Sequence, residues 1–170
     1  MSAELSDFLK RLICLFALLP LFLGCAQDGS DVGKYITQPF ECRVALTCNS
    51  SEYTLSVSKC GADLITLTVI KPLSIEGLSI SVEGGMTQSY KGIDTATELP
   101  TASFAKVMLA AFSQPSEENI RKTDEGYEIT FECDGDGGIL LLDSFSYVPL
   151  RINWKEYNAE FSHYSVTKTD

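Results

Sequence analysis

Histidine is almost absent from this chain of 170 residues, since His163 is its only one. The motifs G-x-S-x-G and H-E-x-x-H are missing, as are the glycine fingerprints that bind phosphates and dinucleotides. His163 stands in a strand-like segment without an evident orienting partner, which disfavours a cysteine–histidine catalytic pair. We therefore expect a protein that is not an enzyme, with no catalytic residue, no cofactor and no bound metal.

Basic residues are also scarce. The 13 Lys and Arg face 23 Asp and Glu, which gives a net charge of −10. Nucleic acid needs clusters of Lys and Arg to neutralise its phosphates, so it is excluded as a partner. No basic patch is available to bind anionic headgroups, and we expect any membrane association to come from an attached lipid.

A long hydrophobic run is missing as well. The apolar stretch from Leu12 to Leu23 has 12 residues, whereas a membrane-spanning helix needs about 20. Lys10 and Arg11 precede the stretch and Gly24 follows it, which is the order of a secretory signal. Residues 1–24 are therefore predicted to be a signal peptide.

The sequence Phe22-Leu23-Gly24-Cys25 resembles the lipobox of bacterial lipoproteins, although Phe22 replaces the usual leucine and Leu23 is bulkier than the usual residue. The resemblance implies a thioether-linked diacylglycerol on Cys25, whose freed amine can also be acylated, for example with palmitate. It places the protein at the cell envelope, anchored by lipid to the extracytoplasmic side of the cell membrane. The alternative is an ordinary secreted protein that is cut nearby, with Cys25 free or in a disulfide.

After Cys25 the chain is predicted to have two parts. Residues 25–34 are polar and rich in glycine, and we expect them to form a flexible tether from the lipidated Cys25. Residues 35–170 have the length of one domain. Most of that domain alternates between apolar and polar residues, as in "YITQPFECRVALTC" and "YEITFEC", which predicts eight to ten antiparallel strands.

One helix interrupts the strands, over residues 102–113. Its apolar residues fall at helical spacing, with Thr101 or Ser103 as candidate N-cap and Pro115 as the stop. No parallel strand–helix–strand rhythm occurs. The fold class is therefore predicted to be α+β, mostly antiparallel β.

Four cysteines follow Cys25, and their spacing does not match a zinc site. Cys42 and Cys48 share the apolar side of one predicted strand, and Cys133 lies on an apolar face of another. Two interpretations remain open: buried thiols that act as small hydrophobes, or a disulfide between Cys42 and Cys60 across a hairpin.

The order of these elements resembles the LolA/LolB-like lipoprotein-carrier superfamily. The resemblance rests on "VIKPLSIEGLSISVEGG", on "MTQSYKGID", on the helix that follows and on "YVPLRINW", and it covers residues 35–166. It implies a strongly curved sheet, a half-barrel, with the main helix packed on its concave face. In this superfamily the space between sheet and helix can receive acyl chains.

An apolar half-barrel cannot fill itself, so either helix or lipid must complete it. The candidate lining residues of this cavity or core are Phe40, Val44, Leu46, Phe104, Met108, Phe112, Phe131 and Trp154. They form either a sealed core or an open pocket. The corresponding functions are a lipid-anchored binder or carrier of an acyl chain or other hydrophobic ligand, and a non-catalytic module that holds an envelope or cell-wall protein.

Overall fold

The structure is a computed structural model, and it describes residues 32–61, 64–95, 99–113 and 115–166. The predicted signal peptide and Cys25 lie outside these residues. Eleven strands form one antiparallel sheet. Their bounds are β1 Phe40–Cys48, β2 Ser51–Cys60, β3 Leu64–Lys71, β4 Leu78–Val82, β5 Met86–Tyr90, β6 Ile93–Asp94, β7 Ile120–Lys122, β8 Tyr127–Cys133, β9 Asp136–Leu142, β10 Pro149–Trp154 and β11 Tyr157–Val166.

Two α-helices lie within the described residues. A single turn, α1, spans Lys34–Thr37, and the main helix, α2, spans Pro100–Ala111 between β6 and β7. Short 3-10 turns occupy Leu73–Ile75 and Glu117–Asn119. The predicted fold class is confirmed: the described chain is mostly antiparallel sheet with one main helix.

The strand order is β6-β5-β4-β3-β2-β1-β11-β10-β9-β8-β7, and the sheet remains open. Strands β1 to β6 form one arm and β7 to β11 the other. The two arms meet where β1 pairs with β11, for example with Val44 opposite Phe161. The first and last strands of the described chain therefore lie side by side in the middle of the sheet.

Strand alternation builds the interior. In β1 the residues alternate strictly between buried and exposed, with Phe40, Val44 and Leu46 on the buried side. This pattern follows from the pleat of a strand, which directs successive side chains to opposite faces. The buried faces of both arms form one continuous hydrophobic core with the apolar side of α2.

The sheet has a lower and an upper end along the direction of its strands. The lower end is where β1 begins at Phe40 and β11 ends at Val166, which are paired. The upper end carries the turn between Trp154 and Tyr157, which joins β10 to β11.

The structure corrects several local predictions. Tyr35 and Ile36 belong to the helical turn α1 and not to a strand. Both are buried, which two successive residues of a half-buried strand cannot be. Val32, inside the predicted tether, is also buried, so the folded unit includes residues before Tyr35. The count of eleven strands exceeds the prediction because β6 and β7 have two and three residues, too few to show an alternating pattern.

Helix α2 also begins and ends earlier than predicted. Leu99 is the N-cap residue and Pro100 the first helical residue. Thr101 and Ser103 lie inside the helix, so neither caps it. A proline at the first helical position is favourable because its missing N–H has no partner there in any case.

Candidate hydrophobic ligand site

Helix α2 lies across the concave side of the sheet. It packs against β3 and β4 of one arm and against β8 and β9 of the other. Between β4 and β8 there are seven strand intervals, which in a flat sheet would separate them by about 34 Å. A helix with its side chains is about 10 Å wide. The sheet must therefore curve strongly around α2, as the superfamily resemblance implied.

The predicted lining residues are nearly all in this interior. Val44, Leu46, Phe104, Met108 and Phe112 are fully buried. Phe40 and Trp154 are buried with only small exposed fractions. Phe131 is half-buried and packs against the edge of the core.

The aromatic residues divide into an upper and a lower group along α2. At the upper end Phe104 stacks on Tyr157 with ring centroids 6.4 Å apart, and Tyr157 contacts Trp154 at 5.4 Å. At the lower end Phe112 lies 5.6 Å from Phe40 and 5.7 Å from Tyr35. The helix thus fills the groove along its length. Residues from other elements line the two ends of the interior.

The lower end is closed by α1. The Tyr35 hydroxyl donates a hydrogen bond to the Ala111 carbonyl at 3.4 Å, which ties α1 to the last turn of α2. Burial raises the pKa of Tyr35 above its ordinary value. A slot at this end, lined by Tyr35, Phe40 and Pro149 among others, has a volume of about 10 Å³, room for about one water.

A buried lysine completes this closure. The Lys59 ammonium donates hydrogen bonds to the carbonyls of Ile36 and Gly61. Its Nζ lies 5.9 Å from the ring centroid of Phe40 and 5.8 Å from that of Phe112, within cation–π range. Sequence reasoning missed Lys59, although it continues the inward series of Leu55 and Val57 in β2.

The upper end is open beside the start of α2. A cavity of about 200 Å³ lies there, lined by Ile75, Leu78, Gln88, Tyr90, Thr95 and Leu99. Its two polar side chains bond each other, since Gln88 Nε2 donates to Thr95 Oγ1 at 2.8 Å. The other four lining residues are Ile, two Leu and Tyr, so this cavity, the upper mouth, is mainly apolar and borders the hydrophobic core.

Few side-chain hydrogen bonds hold the start of α2. Leu99 has no polar side chain, so no side-chain cap hydrogen bond is formed. The Thr101 hydroxyl is buried without a hydrogen-bond partner. A missing cap costs roughly 1 kcal/mol and a buried unpaired hydroxyl about 1–3 kcal/mol. The helix end beside the open mouth is therefore the less securely held end.

The candidate disulfide between Cys42 and Cys60 is wrong, because both cysteines are free. Cys42 lies opposite Val57 and points into the core, whereas Cys60 is exposed three positions further along β2. Cys48 and Cys133 are buried and free as well. Desolvation raises the pKa of Cys42 to about 12, so this thiol behaves as a small hydrophobe.

The described residues contain no cluster of metal-ligating side chains. Nowhere in that part of the chain do three His, Cys, Asp or Glu side chains come close enough to hold a metal ion. His163 is exposed and its Nδ1 lies 3.0 Å from the hydroxyl of the adjacent Ser162.

Within the described residues, no helix has both the length and the apolar character needed to cross a bilayer.

Comparisons with known proteins give similarities of fold. No protein-family model and no curated protein matches the sequence. A LolA superfamily protein, NE2245 from Nitrosomonas europaea, has a similar solved structure with 11% identity, 82% of this chain and 92% of that chain covered, and a TM-score of 0.48.

Two further solved structures are similar. An uncharacterized conserved protein from Thermus thermophilus shares 15% identity over 83% of this chain and 86% of its own, with a TM-score of 0.50. MucB, solved in complex with MucA(peri), shares 12% identity over 84% of this chain and 57% of its own, with a TM-score of 0.45. At such identities the likeness is one of fold alone. That fold is an open curved antiparallel sheet with one helix on its concave face, as the sequence resemblance implied.

Proposed function

We propose that this protein is a non-catalytic envelope lipoprotein that binds or carries an acyl chain or another hydrophobic ligand between α2 and the sheet. Lipid on Cys25 anchors it to the extracytoplasmic side of the cell membrane. The anchor is supported by the signal-like segment and by the lipobox resemblance at Gly24-Cys25. The ligand site is supported by one observation: a mainly apolar cavity adjoins the hydrophobic core beside the start of α2, at the upper end, whereas α1 and Lys59 cover the lower end.

Ligand entry requires some movement of α2. The open mouth has about 200 Å³, less than the 300–1,000 Å³ of usual ligand pockets. An acyl chain therefore enters beside Leu99 and displaces the start of α2 from β4.

Uptake of a fluorescent fatty acid tests this proposal on the full chain carrying Cys25→Ser, which prevents acylation. We expect saturable binding, and we expect Leu99→Arg to weaken it at least tenfold because a guanidinium at the mouth must be desolvated. Ile139→Arg is the matched control, since Ile139 lies opposite Asn153 and Thr130 on the outer face. Native mass spectrometry should also detect copurifying lipid.

Three outcomes are informative. Binding that is lost in Leu99→Arg and kept in Ile139→Arg supports a ligand at the upper mouth. Equal binding by both variants would show that the ligand binds at another surface. Absence of any lipid together with capture of one stoichiometric envelope protein overturns the carrier and identifies the interaction module instead.

A further inference from the structure

The loop between β9 and β10 presents an aromatic side chain to solvent at the lower end of the sheet. Phe145 is 90% exposed, more than Leu73 at 77% or Ile93 at 71%. The loop belongs to the lower end because β9 ends at Leu142, which pairs with Pro149 at the start of β10. An aromatic ring in this position leaves a large apolar area open to solvent.

The exposure of Phe145 is fixed by hydrogen bonds within the loop. The Asp143 carboxylate accepts from the Ser146 amide and hydroxyl, both at 2.7 Å, and from the Phe145 amide at 3.1 Å. These bonds lower the pKa of Asp143. The Asp143 amide in turn donates to the Val148 carbonyl at 2.9 Å, which closes the loop.

Neighbouring elements support the base of the loop. Tyr147 packs on Tyr127 of β8, with ring centroids 5.5 Å apart. Gly126, in the turn before β8, approaches the loop so closely that a Cβ there would lie 1.9 Å from the Leu142 carbonyl oxygen. The loop therefore holds Phe145 outward instead of allowing it to fold back on the domain.

The chain enters the domain at this same end. Ile36 accepts a hydrogen bond from Lys59, and Lys59 pairs with Phe40 at the start of β1. Cys25 precedes the buried Val32 by seven residues, which span at most about 25 Å when fully extended. An acyl anchor on Cys25 thus keeps the lower end of the sheet within that distance of the bilayer.

We propose that Phe145 inserts into the interfacial region of the bilayer that carries the lipid on Cys25, and so orients the domain with its open upper mouth away from the membrane. This inference rests on the proposed lipid anchor. A single ring binds a bilayer weakly, but the anchor converts its insertion into an intramolecular step at high effective concentration. Aromatic and large apolar side chains are the ones that enter this interfacial layer.

Tryptophan fluorescence in vesicles tests the inference. The acylated full chain with Phe145→Trp is reconstituted into phosphatidylcholine vesicles containing lipid spin-labelled near the headgroup. We expect a blue shift and strong quenching at position 145. Ile93→Trp is the matched control, because Ile93 is also highly exposed but lies beside Tyr90 at the upper end. The unsubstituted chain, with Trp154 alone, provides the baseline.

Mass spectrometry of the mature N-terminus separates failure of the anchor from failure of the inference. An acylated Cys25 with no quenching in the Phe145→Trp variant beyond the baseline overturns the insertion of Phe145 and leaves the proposed function intact. An unmodified Cys25 overturns the anchor and this inference with it. A blue shift that depends on protein concentration but not on lipid shows that a second copy covers Phe145, and this also overturns the inference.

Discussion

At the scale of single residues, burial decides the chemistry of the cysteines. Cys42 and Cys60 lie on neighbouring strands, yet the pleat directs them to opposite faces of the sheet. The thiolate is the reactive form of cysteine. Because burial raises the pKa of Cys42 to about 12, that thiol stays protonated and shielded at neutral pH.

This difference predicts selective labelling. Iodoacetamide at neutral pH should modify Cys60 in the native protein, whereas Cys42 should react only after unfolding. Peptide mass spectrometry measures the ratio, and labelling in denaturant is the control that all thiols are accessible. Because Cys42 ionises only near its raised pKa of about 12, a moderate rise in pH should leave native Cys42 unmodified. Recovery of a Cys42–Cys60 disulfide peptide would contradict the structure.

At the scale of elements, α2 determines whether the concave face is filled. Phe104, Val107 and Met108 are completely buried, and Lys106 points to solvent from the same helix. The apolar stripe contacts both arms of the sheet, so it stabilises the curvature as well as the helix. An isolated helix of 12 residues is marginal in water, and this packing supplies most of its stability.

Removal of one stripe residue should therefore be costly. We expect Phe104→Ala to lower the free energy of unfolding by about 3–5 kcal/mol, because it leaves a cavity beside Tyr157. Lys106→Ala should change it by less than about 0.5 kcal/mol. Urea denaturation followed by circular dichroism measures both. Similar losses for the two variants would show that α2 does not pack as described.

At the scale of the whole molecule, the pairing of β1 with β11 joins the two arms. Residues more than a hundred positions apart in the sequence meet there, such as Leu46 and Ala159. Each arm is otherwise built from neighbouring strands joined by short turns. The concave interior exists only when both arms are joined and curve around α2.

Truncation tests this dependence. A chain that ends at Lys155 keeps ten strands but loses β11, and we expect it to lose cooperative unfolding and to aggregate. The unpaired long edges of β1 and β10 favour aggregation. A chain that ends at Val166 is the control, because it retains all eleven strands. Thermal unfolding and size-exclusion chromatography distinguish the two, and a cooperative transition in the shorter chain would contradict the central role of β11.

Local structure could be predicted well because it depends on short-range patterns. The alternation around Val44 and the helical spacing of Phe104 and Met108 specified the elements and the inward faces. The short strands β6 and β7 and the turn α1 could not be predicted, since they have too few residues for a period. Leu99 was missed as N-cap because it has no polar side chain to indicate one.

The sequence by itself determined the class of fold, the inward residues of long alternating strands such as β1, and the signal-like segment that precedes Cys25, because these follow from local composition and periodicity. Only the tertiary structure decided which end of the interior is closed, because Tyr35, Lys59 and Phe112 meet there from distant parts of the chain. It likewise decided that Cys42 and Cys60 face apart and that Phe145 lies at the end where the chain enters. These features depend on register and curvature, which long-range pairing sets and no short stretch of sequence contains.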